Sequence, residues 1–128
     1  MQLTADELDA RLPVWGALAS MFVDADVTQT REQRAQVLAA SPYSLAALEA
    51  ILIEEVYPVC WMNLAAVEGQ RTRFEPIWLA SRILRRDPAA ESSTRLLELA
   101  RIAVPRSSEW ADTKAALAVL RQLPGDAG

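Results

Sequence analysis

The sequence predicts an all-α fold, a compact array of six or seven short antiparallel helices, and three observations carry that prediction. Alanine, a strong helix former, inflates an apolar fraction of 52%, while β-branched residues are too scattered to mark strands. Apolar residues recur at three- and four-residue spacing. Proline, serine and threonine stand where such runs break and restart. At 128 residues the chain is expected to fold as a single helical domain, 1–128, with a tail that frays from about residue 124.

Thr4 and Glu7 form a capping-box pattern that starts the first helix, and Pro13 is expected to interrupt it. A second helix then runs from about Leu12 to Val23, with Val14, Trp15, Leu18, Met21 and Phe22 on one face. Thr28 or Thr30 opens the third, whose best buried positions are Val37 and Leu38. Pro42 holds Ser41 extended, and Ser44 caps a helix with Leu45, Leu48, Ile51, Leu52 and Val56 on its apolar stripe. Glu49 and Glu54 fall away from that stripe, and Glu55 lies nearer its border.

Pro58 is expected to kink or end this helix, after which the apolar run Val59 to Val67 forms the centre of the core. Glu75 and Pro76 open a helix bearing Ile77, Trp78, Leu79, Ile83 and Leu84. Residues 87–93 read equally as loop or helical start. A helix follows over about Thr94 to Val104, stopped by Pro105, and Ser107 or Ser108 caps the last one, with Trp110, Thr113, Leu117 and Leu120 on a face. The four tryptophans fall one to a helix on apolar stripes, so core packing is the expectation for each.

Charge is unevenly placed. Residues 1–68 hold ten acids against three arginines, a balance of −7, whereas residues 69–128 carry +3. The opposite halves either face one another within the fold or present an acidic surface to a partner. No basic, apolar leader opens the chain, and its longest uncharged stretch, Ala35 to Leu48, is broken by Pro42. The expectation is a cytoplasmic protein without a membrane span. The lone Cys60 reads as a packed apolar side chain.

Catalytic chemistry finds little to work with, because histidine is absent and no Gly-rich phosphate loop or acid cluster at metal spacing occurs. No catalytic residue, metal or cofactor is expected. Neighbours Glu54 and Glu55 point about 100° apart on a helix and do not flank one bond. Arg71 and Arg73, just before a helix start, suit an anion or a partner's carboxylate; pairing with Glu68 or Glu75 is the alternative. Arg31–Ala40, the Ser41–Ser44 turn and Leu45–Val56 have helix-turn-helix proportions, yet the second helix carries three glutamates and no base, which would repel phosphate.

The stretch Arg11 to Leu18 (Arg-Leu-Pro-Val-Trp-Gly-Ala-Leu), Ala40 to Leu52 with its Ala-Ser-Pro-Tyr-Ser-Leu start, and Glu54 to Val59 resemble a family of small bacterial proteins with no assigned activity. The likeness continues through Asn63 to Val67 and Trp78 to Ile83, covering roughly residues 11–84. It departs at Cys60, Trp61 and Gln70 to Arg73. In size and helical character the family is similar to immunity proteins encoded beside bacterial toxins, which implies a non-enzymatic inhibitor.

The leading expectation is therefore a protein-binding domain, an immunity-type inhibitor whose acidic half covers a basic toxin. Asp24, Asp26, Glu49, Glu54 and Glu55 would make the contact with Tyr43 as anchor. The alternative is a helical homodimer or adaptor in which the acidic half of one subunit meets the arginine-rich half of another. Nucleic-acid binding is the minor one.

Overall fold

The computed structural model describes residues 2–22, 31–66, 76–86 and 91–122, with side chains described at all of these except 62–66 and 91–93. Every element among them is helical: α1 (Ala5–Ala19) with a 3₁₀ turn at Ser20–Phe22, α2 (Arg31–Ala40), α3 (Leu45–Ile51), a π-helical turn (Leu52–Val56), α4 (Tyr57–Ala66), α5 (Pro76–Arg85), α6 (Glu91–Arg106) and α7 (Ser108–Arg121). The all-α prediction holds. No helix is long and apolar enough among the described residues to cross a membrane.

Local chemistry sets most boundaries. Thr4 and Glu7 form the complete capping box, each side chain accepting from the other's backbone N–H at 3.1 and 2.8 Å. Ser44 accepts from Ala47 N–H and Ser107 from Trp110 N–H, both at 3.1 Å, starting α3 and α7 as expected. Pro76 is the first residue of α5, where a missing N–H costs nothing. Helix α6 begins at Glu91 and passes Pro105 by one residue.

Pro13 behaves differently from expectation, and of the two outcomes expected for Pro58 the helix end does not occur. Helix α1 runs unbroken through Pro13, whose ring sits on the exposed face. Water can there take the hydrogen bond that proline removes from the Asp9 carbonyl. Pro58 neither ends its helix nor stands alone: α3 widens into the π turn just before it, and Tyr57 N–H donates to Leu52 O. Widening relieves the clash of a proline ring with the carbonyl four residues back, that of Glu54. The Arg86 guanidinium supplies the donor proline lacks, with Nη2 2.7 Å from Glu54 O. Leu45–Ala66 is thus a continuous rod.

The rod lies between α1 and α6, while α7 packs chiefly on α2 and α1 on α2 and α5. Trp15, Leu18, Leu38, Leu48, Leu52, Leu79, Trp110 and Leu117 are essentially fully buried. Each such side chain contributes roughly 2–3 kcal/mol by leaving water. Trp61 and Ile77 depart from the core expectation, at 43% and 75% exposure.

Polar groups stitch α2 to its neighbours. Arg34 is 4% exposed, and its Nε donates to Ser20 Oγ at 2.8 Å while Nη1 donates to Glu109 at 2.9 Å and Thr113 Oγ1 at 3.3 Å. Arg31 grips the same Glu109 carboxylate bidentately, at 2.8 and 3.0 Å. From α7, Arg121 donates to the carbonyls of Leu38, Ala39, Ser41 and Tyr43. It closes the C-terminal end of α2 and the turn after it.

Candidate functional site

The π turn is the natural place to look, since such insertions cluster at functional sites, and it holds two of the predicted contact acids. They have opposite fates. Glu54 is exposed, whereas Glu55 is buried among α1, the rod and the end of α5. Trp15 Nε1 donates to Glu55 Oε1 at 2.7 Å, and Arg11 Nη1 reaches both carboxylate oxygens at 3.1 Å. Burial pushes the Glu55 carboxyl above its ordinary range, against the indole N–H and the Arg11 charge, which pull it down. Arg86, hydrogen-bonded to Glu54 O, adds its charge to the cluster, disfavoured by burial and supported by Glu54 and Glu55.

The arrangement pins α1 to the rod. A buried carboxyl with a raised pKa resembles a general acid, but Arg11 and Trp15 occupy the Glu55 oxygens and only 9% of the residue meets solvent. Glu55 is thereby withdrawn from the docking surface predicted for it. Among the described residues, Arg11 Nε and Arg86 Nη1 are buried N–H groups without a hydrogen-bond partner.

Glu49 is also engaged within the fold, accepting from Trp110 Nε1 at 2.8 Å and Lys114 Nζ at 3.2 Å. The indole hydrogen bond, with the lysine, holds its carboxyl below the usual range. Tyr43 is half-buried, with the Arg11 guanidinium 5.2 Å from its ring centroid. It is a packing residue rather than an exposed anchor. Asp24, Asp26, Arg71 and Arg73 lie outside the described residues.

Near the other end of the rod an aromatic ladder reaches the surface. Phe22 meets Tyr57 edge to face at 5.6 Å, and Tyr57 stacks on Trp61 at 6.0 Å with planes 10° apart. Trp61 was missed as a surface residue, although the i, i+4 spacing of Tyr57 and Trp61 is visible in the sequence. Cys60, beside it, is fully buried, and burial drives its thiol far up, away from the reactive thiolate. Among the described residues, no group of three or more histidine, cysteine, aspartate or glutamate side chains is placed to hold a metal.

Residues 9–116 match the family described as "Domain of unknown function (DUF7079)", and the chain belongs to it. No curated protein and no solved structure matches.

Proposed function

We propose that this member of a family of unknown function is a non-catalytic protein-binding domain that docks through the exposed side of its central rod, with Trp61 as anchor and Glu54 as the charged contact. The carrying observation is Trp61 itself: a tryptophan stacked on a buried tyrosine and still 43% exposed. Tryptophan is enriched among the residues that dominate binding energy, and a stacked ring loses little freedom on docking. Glu54 stands seven residues earlier, about 10 Å along the helix, and is exposed.

The finer reading is an immunity-type inhibitor of a basic toxin. Support comes from the acid excess of the first half, of which Glu49 and Glu55 are consumed internally and Glu54 remains at the surface. Nucleic acid fits poorly. The chain does turn by 112° between Arg31–Ala40 and Leu45–Trp61, a helix-turn-helix angle. Yet the second helix buries Leu48, Ile51 and Leu52 and exposes Glu54, which repels phosphate.

Capture of partners from the source lysate at low salt, with elution by rising salt, tests the proposal. A basic protein retained by the wild type and lost by Trp61→Ala is the expected outcome. Equal retention by Trp61→Ala would remove Trp61 from the binding surface.

A further inference from the structure

Two helices far from the aromatic ladder in sequence leave apolar side chains in water beside charges of opposite sign. On α1 the outward stripe is Asp6, Asp9, Leu12 and Pro13, all exposed, with Leu12 at 38%. On α6 it is Arg95, Leu99, Ile102 and Arg106, with Leu99 at 39% and Ile102 at 57% exposure. Spacings of three, four and seven residues place each set on one side of its helix. The inner side of α6 is accounted for by the buried Ala100 and Val104.

We propose that these stripes are the two sides of a self-association contact, α1 of one copy against α6 of another. Each exposes an apolar centre, Leu12 and Pro13 on α1 and Leu99 and Ile102 on α6, and their charges are complementary: Asp6 and Asp9 on α1, Arg106 at the C-terminal end of the α6 stripe. Register follows from the same residues. With Leu12 opposite Ile102 in an antiparallel crossing, Asp9 and Asp6 come to face Arg106, at distances of about 5–9 Å and 6 Å along their helices from that centre. A parallel crossing would instead bring Asp9 level with Glu98, also exposed on α6, and leave Arg106 without an aspartate opposite it. Antiparallel docking further sets the N-terminal end of α1 beside the C-terminal end of α6, so the helix dipoles attract. The contact uses neither Trp61 nor Glu54, so its failure and that of the partner-binding proposal are separable.

Sedimentation velocity of the full chain at micromolar to near-millimolar concentration, in low and high salt, is the test. The expected result is concentration-dependent association that weakens as salt rises. Ile102→Glu abolishes it, and Asp9→Arg weakens it about fivefold, the scale of one exposed ion pair. Combining Asp9→Arg with Arg106→Asp restores association, which a merely destabilised fold would not do. A monomer at every concentration in low salt overturns the proposal, as does association indifferent to Ile102→Glu or a double variant no better than Asp9→Arg alone.

Discussion

Glu109 and Glu55 show how one residue type takes opposite parts in this fold. The Arg31 hydrogen bonds, with Arg34 beside them, hold the Glu109 carboxyl below its ordinary pKa. A depressed pKa adds stability above the unfolded value that is lost as pH falls through the folded one. Burial raises Glu55, so its contribution has the other sign, present below the ordinary carboxylate pKa and lost as pH rises through the raised value. Glu109→Gln is expected to cost about 1 kcal/mol at neutral pH, a figure discounted for solvent screening because the Glu109 side chain is 37% exposed. Denaturant unfolding across pH checks it: the acid-side loss of stability becomes shallower in the variant, and an unchanged slope would deny Glu109 this role. None of these pairings was legible beforehand. Arg31 and Arg34 meet Glu109 across more than seventy residues, and sequence spacing says nothing about which distant charges meet.

At the scale of elements, the π turn and Arg86 act as a unit. Pro58 cannot donate to Glu54 O, and Arg86 does so from outside the rod. Arg86→Met keeps much of the aliphatic stem and removes the donor, leaving that carbonyl without its side-chain partner at a cost of about 1–2 kcal/mol. Thermal unfolding reads it, and a variant as stable as the wild type would mean that water serves the carbonyl equally well. The helix starts were readable because a cap is local: Thr4 with Glu7, Ser44 with Ala47 and Ser107 with Trp110 act within three residues. Continuity through Pro13 and Pro58 was not, since it depends on where each ring faces and what stands nearby. Glu55 stands four residues after Ile51 and seven after Leu48, on the stripe those residues define, so its burial was legible in the spacing. In the apolar run after Pro58, hydrophobicity could not reveal that Trp61 faces water.

Across the whole molecule, the charge asymmetry of the sequence is partly spent inside the fold. Glu49 meets Lys114, and Arg86 approaches Glu54 and Glu55, so acids of the first half face bases of the second. What remains outside is Glu54 near the Trp61 ladder, and the oppositely charged stripes of α1 and α6. The central claim is this division between the carboxylates that hold the fold, such as Glu49 and Glu55, and those that are presented, among which Glu54 stands near the Trp61 ladder. Its most direct test is to score Glu54→Lys and Glu55→Gln side by side for partner capture at low salt and for thermal unfolding. Glu54→Lys is predicted to lose the partner with only a small fall in melting temperature, from the charge it places near Arg86, and Glu55→Gln to shift the melting temperature while still capturing it. Capture that survives Glu54→Lys but is lost in a still-folded Glu55→Gln would contradict the account and make the buried cluster the binding site.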